Sequence, residues 1–212
     1  MKDKKNKRKE YIRMLKYVDT AITFAEIPDE ITLCINLSRC PCKCANCHSS
    51  YLADDIGEVL TITRIEKLIK NNSGITAICF MGGDNDPKLI NHYAKLIKDI
   101  RIEEEREYIV PKDTYQPISK KLLYKKGQKI KYIEHVPNKL KIGWYSGRQE
   151  LFDKIDLQNF DYIKIGPYKE EYGPLNSKTT NQKFYKVVHL SSGKSKMIDI
   201  THKFWKNDQN DN

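Results

Sequence analysis

Apolar and polar positions divide the chain into strand-length runs and two helix-length ones. Tyr17 to Phe24 reads as a strand, Ile27-Pro28-Asp29-Glu30 as a turn, and Ile31 to Leu37 as a second strand rich in branched side chains. Cys40 to His48 is predicted to be a loop, because Pro41 and the crowded cysteines break any period. Ile62, Ile65, Leu68 and Ile69 then recur at helical spacing, and Thr63 with Glu66 resembles a capping box near the start of that helix. The continuous apolar run from Ile75 to Phe80 has the length of a buried parallel strand and ends at Gly82-Gly83. A second helix is predicted from Pro87 to Ile100, with Pro87 in its first turn. Further strands fall at Leu140–Tyr145, Tyr162–Gly166 and Phe184–Leu190.

Strand, helix, strand, helix, strand is the rhythm of an α/β fold with parallel strands. Ligands in such sheets gather at the carboxyl ends of the strands. Cys40–His48 and Gly82–Asp84 both follow strands directly, so parallel strands would open both loops on one rim. Residues 102–138 break the rhythm. They read as a charged Tyr/Lys-rich insert, with a hairpin suggested around Lys126-Gly127. Tyr108, Tyr115, Tyr124 and Tyr132 alternate with lysines there. That pattern suits base stacking, and it equally suits a solvated insert that packs its own tyrosines. The expected organisation is a basic extension over residues 1–13, a main domain over 14–205 and a polar tail over 206–212.

Composition narrows the class without choosing a function. A chain of 212 residues with 39% hydrophobic side chains suits one domain with its own core. The net charge of +10 and pI near 9.2 favour anionic partners: nucleic acid, anionic lipid or acidic protein. The Lys-rich stretch Met1–Glu10 reads as a solvated end more than as a nucleic-acid arm. No apolar run approaches the roughly 18 residues of a membrane helix, and no signal-peptide core follows the basic start. A cytoplasmic location is therefore expected, with no membrane partner.

Five of the six cysteines, Cys34, Cys40, Cys42, Cys44 and Cys47, fall within fourteen residues, and Cys79 lies apart. Thiols crowded in one loop of a chain without a secretion signal point to metal rather than to a disulfide scaffold. A short loop with the spacing Cys40-x3-Cys44-x2-Cys47 can bring three thiolates to one cubane cluster, leaving one iron without a protein ligand. Cys34 and Cys79 sit in apolar strand runs and read as buried core thiols. Cys42 is out of register and reads as a bystander.

This loop resembles the signature of the radical S-adenosylmethionine (SAM) superfamily. The resemblance implies a [4Fe–4S] cluster on Cys40, Cys44 and Cys47, with SAM bound at the open iron and cleaved reductively to methionine and a 5′-deoxyadenosyl radical. It implies a partial, open (β/α)6-type barrel. It also places Gly82, Gly83 and Asp84 at the turn that meets the SAM amino group, and Asn46 and His48 near the adenine or the cluster. Where the family often has an aromatic residue before its last cysteine, this chain has Asn46. Ser146-Gly147 ends a strand, as either a contact to the SAM ribose or carboxylate or an ordinary turn. Lys164 and Gly166 are weaker candidates. No acid–base constellation stands out, and none is required, because the cofactor carries the radical.

Further tracts are similar to the activating proteins of anaerobic ribonucleoside-triphosphate reductase. They include Ile27 to Leu33, Cys47-His48-Ser49, Phe80 to Asp84, Trp144 to Arg148, Tyr162 to Tyr168 and Gly173 to Ser177. The implied activity is formation of a glycyl radical on the large reductase subunit, with flavodoxin or ferredoxin as electron donor. Two rivals remain open. One is another small radical SAM enzyme, either a pyruvate formate-lyase-type activase or a deazaguanine-synthase-type modifier. The other is a zinc-stabilised nucleic-acid-binding module built on Cys40 or Cys42, Cys44, Cys47 and His48.

Overall fold

The computed structural model describes residues 14–109 and 127–205. The basic extension 1–13, the tail 206–212, Tyr115, Tyr124 and Lys126 lie outside them. In chain order the elements are β1 (Lys16–Thr23), β2 (Thr32–Leu37), β3 (Glu58–Val59), α1 (Ile62–Asn71), β4 (Ala77–Met81), α2 (Pro87–Asp99), β5 (Arg101–Ile109), β6 (Lys129–Pro137), β7 (Lys141–Tyr145), β8 (Tyr162–Ile165), β9 (Lys183–His189) and β10 (Ser195–Asp199). The chain divides into two units, one of residues 1–98 with 139–212 and one of residues 99–138.

The larger unit is built on one eight-stranded mixed sheet of order β10-β9-β8-β7-β4-β2-β1-β3. This corrects the expected partial, open (β/α)6-type barrel: the described residues hold two α-helices, and most of the regular structure is sheet. Parallel pairing is confined to β2, β4, β7 and β8 in the middle. β1 and β3 on one side, and β9 and β10 on the other, run antiparallel to their neighbours.

The reason is connection length and composition. A parallel crossover needs about a dozen residues or more, and a barrel needs a helix in each. Residues 24–31 are too few, and they turn through Pro28 and left-handed Asp29 (φ +70°), so β1 folds back on β2. Residues 146–161 do cross over to β8, but they carry only a three-residue 3-10 turn, Leu157–Asn159. β9 and β10 are joined through left-handed Gly193 (φ +76°) as a hairpin.

The two helices follow their apolar stripes. α1 buries Ile65 and Ile69, and α2 buries Ile90, Ala94 and Ile97. Each such isoleucine stabilises the fold by roughly 1.5–3 kcal/mol relative to exposure. Thr61, not Thr63, caps α1: its side chain accepts from Arg64 N at 3.1 Å. Glu66 lies too far along to close a capping box. The middle strands are apolar on both faces, with Leu33, Ile35, Ile78, Phe80, Ile142, Trp144 and Ile163 all buried. Cys34 and Cys79 are register partners across β2 and β4 and are buried as expected.

The smaller unit is a two-stranded hairpin of β5 and β6, in register from Arg101↔Pro137 to Ile109↔Lys129. Its strands pair charges across: Lys129 with Glu107 at 2.9 Å, Lys131 with Glu105 at 2.6 Å, and Arg106 with Glu134 at 3.2 Å. Tyr108 and Tyr132 stay exposed rather than packing together. No helix of the described residues is long and apolar enough to cross a membrane.

Candidate cofactor-binding rim

Because β2, β4, β7 and β8 are parallel, the segments after Leu37, Met81, Tyr145 and Ile165 open on one edge of the sheet. The first is the cysteine loop. It leaves β2 through buried Ser38, whose Oγ donates to Ile56 O at 2.7 Å. Arg39 N and Cys40 N then donate to Asp54 O at 3.0 Å and Leu52 O at 2.9 Å. Three non-glycine residues of this stretch hold left-handed φ: Arg39 (+63°), Lys43 (+43°) and Asn46 (+54°). Each costs on the order of 1–3 kcal/mol, and such strain clusters where a loop must present side chains in a set direction. Cys40, Cys42, Cys44 and Cys47 are all free and half-buried, and Cys47 N donates to Cys44 O at 3.3 Å.

The second segment is Gly82-Gly83-Asp84. Both glycines hold left-handed φ, +96° and +85°, and a β-carbon on Gly83 would meet Ile90 Cδ1 at 2.5 Å. Only glycine fits there. The turn carbonyls are each engaged once. Trp144 Nε1 donates to Gly82 O at 2.8 Å, Asp86 N to Gly83 O at 3.0 Å, and Arg148 Nη2 to Asp84 O at 2.8 Å. A carbonyl oxygen has two lone pairs, so each retains room for one more donor.

The buried Asp84 carboxylate ties this turn to the third segment. It accepts from Ser146 Oγ at 2.6 Å and Gly147 N at 2.8 Å, and Arg148 Nε stands 3.4 Å away. Ser146 Oγ in turn accepts from Arg148 N at 3.1 Å. The Ser146 hydroxyl therefore holds Asp84 in place.

The fourth segment brings Lys164, a buried ammonium near the end of β8 that donates to Gly166 O at 2.7 Å. Burial pulls its pKa down to about 8, while electrostatics from Cys44, Asp84, Cys42 and Cys47 acts in the opposite direction. Hydrogen bonding with Cys42 is the largest influence on Cys40 and holds that thiol down to about 6. The same bond, with burial, pushes Cys42 up, so Cys42 keeps the proton.

The rim thus brings together Cys40, Cys44, Cys47, Gly82, Gly83, Asp84, Ser146, Gly147 and Gly166 from four strand ends. Asn46 is exposed and directed elsewhere: its Nδ2 donates to Glu170 Oε2 at 2.5 Å, tying the loop to a segment 124 residues on. His48 is exposed. Sequence reasoning undervalued Lys164, although a lysine inside the apolar run Tyr162–Ile165 was a visible signal. Arg148 and Glu170 carried no such signal, because their partners lie 64 and 124 residues away.

Among the described residues, no three His, Cys, Asp or Glu side chains converge as a site for one metal ion. Three free thiols spread over one loop are the donor set of a broader group, an iron–sulfur cubane with one iron left open. No protein-family model, curated protein or solved structure matches the chain.

Proposed function

We propose that the chain is a radical SAM enzyme, and more narrowly an activase that installs a glycyl radical on anaerobic ribonucleoside-triphosphate reductase. The observation that carries this reading is the loop of three free thiols at the end of β2, which meets the Gly82–Asp84 turn through Cys42 and Asp84. The reading rests on this rim and on the cysteine spacing, and it needs no barrel. When bound, the cluster and SAM supply one-electron cleavage of the sulfonium and a deoxyadenosyl radical that draws a hydrogen atom from a glycine of the partner.

This reading leaves the chain with the following tasks. Cys40, Cys44 and Cys47 would each hold one iron of the cluster. The spare lone pairs of the Gly82, Gly83 and Asp84 carbonyls suit an ammonium donor such as the SAM amino group. Lys164 would balance part of the negative charge that a bound cluster and a substrate carboxylate bring. Asp84, braced by Ser146, Gly147 and Arg148, keeps the turn rigid, so the carbonyls need not reorganise on binding. A donor of the flavodoxin or ferredoxin type is acidic, and the net charge of +10 would speed its docking.

The test is anaerobic reconstitution with iron and sulfide, reduction with dithionite, and assay of 5′-deoxyadenosine released from SAM. The expected result is release that depends on Cys40, Cys44 and Cys47, followed by a glycyl radical signal once the reductase is added. A fully loaded four-iron protein that leaves SAM intact would overturn the enzyme reading. Stoichiometric zinc in the purified protein would favour the zinc-stabilised binding module. Deoxyadenosine without a radical on the reductase would move the target to another substrate.

A further inference from the structure

The fourth thiol of the loop, Cys42, does not belong to the spacing of the other three, yet it is not idle. Its Sγ lies 3.8 Å from Asp84 Oδ2, on a carboxylate already held by Ser146 and Gly147. A β-carbon added to Gly147 would come within 2.7 Å of that sulfur and 3.1 Å of the Cys42 Cβ. The φ of Gly147 is not left-handed, so the missing side chain answers to the neighbouring sulfur rather than to the backbone. The sulfur fills the space where a side chain at position 147 would sit.

The rest of the loop is tied at its ends. Cys40 N donates to Leu52 O at 2.9 Å, and Asn46 reaches Glu170 at 2.5 Å. Between these ties lie Cys42 and left-handed Lys43. A loop in that conformation needs a contact in its middle to keep one shape, and the Cys42 thiol against Asp84 and Gly147 is such a contact.

We infer that Cys42 is a positioning residue: its thiol seats the cysteine loop on a floor made by Asp84 and Gly147, and so sets the height of Cys40, Cys44 and Cys47 above the strand ends. The reading of Cys42 as a bystander is thereby replaced. The seat exists whatever the three thiols bind. Its consequence for catalysis rests on the activase reading, because a site misplaced by a fraction of an ångström loses its function.

The seat is tested on the full-length, metal-free protein by alkylating its thiols with iodoacetamide and reading each cysteine by peptide mass spectrometry. Gly147→Ala drives a methyl group into the sulfur and lifts the loop, so Cys44 and Cys47 should label at least fivefold faster than in the wild type. Removing the sulfur as well, in the double variant Gly147→Ala with Cys42→Ala, should bring both rates back to within about twofold. Cys42→Ser, which keeps a polar side chain of similar size against Asp84 and Gly147, should label like the wild type. Wild-type labelling in Gly147→Ala, or a double variant as fast as the single one, would overturn the proposal. If Gly147→Ala does not fold by circular dichroism, the double variant must fold for the proposal to stand. Because no metal is present, failure of this test and failure of SAM cleavage are separate results.

Discussion

The Cys34–Cys79 pair and the loop from Cys40 to Cys47 put the same side chain into two environments. Cys34 and Cys79 are partners across β2 and β4, packed with Ile27, Ala77, Tyr162 and Phe184. Burial pushes Cys34 up to about 12 and Cys79 well above the ordinary thiol range. Such thiols stay neutral and act as small hydrophobes. Six residues beyond Cys34 the strand has ended, and Cys40 is half-buried with its pKa held down to about 6 by Cys42. A thiolate is the metal ligand and a neutral thiol is not. What separates the two environments is the place where the sheet stops, not the residue type.

That contrast can be broken at several points. The largest effect is expected at the loop. Alanine at Cys40, Cys44 or Cys47 should abolish the visible absorbance of the reconstituted cluster and reduce deoxyadenosine formation to background, whereas alanine at Cys34 or Cys79 should leave both near wild type. Next comes the floor of the site. Asp84→Ala strands the Ser146 hydroxyl and the Gly147 N–H, and should cost about 3 kcal/mol in urea unfolding of the metal-free chain. Cys79→Ser buries a hydroxyl among apolar groups and should cost about 2 kcal/mol without altering iron content. A smaller effect is expected from pH. A folded-state thiol raised from 9.0 to about 12 contributes stability that is present below pH 9.0 and is lost as pH climbs toward 12. The thermal midpoint should therefore fall above pH 9.0 more steeply in the wild type than in Cys34→Ala. The smallest effect belongs to the hairpin, where Lys129→Ala removes an exposed pair with Glu107 and should change stability by less than about 0.5 kcal/mol.

How much of this was legible in the chain differs from element to element. The strands at Thr32–Leu37, Ala77–Met81 and Tyr162–Ile165 and the stripes of α1 and α2 follow from local periodicity, which tertiary contacts left intact. The nearness of the Cys40–His48 loop to Gly82–Asp84 also followed, because parallel neighbours open their carboxyl ends on one edge. The barrel did not follow. The pattern of the middle strands was extended to flanks whose connections are too short or too irregular to carry helices.

The sequence by itself determined the spacing of Cys40, Cys44 and Cys47, the glycines of the turn at Gly82-Gly83, and the apolar runs that become the middle of the sheet. Each is a matter of residue type over a few neighbouring positions. Only the tertiary structure decided that the sheet is open and mixed, that Asp84 is braced by Ser146, Gly147 and Arg148, and that Lys164 is buried. Only it decided that Cys42 rests against Gly147. These depend on contacts between residues 60 to more than 100 positions apart. Closing such distances is set by the packing of the whole sheet, which no local pattern of side chains records.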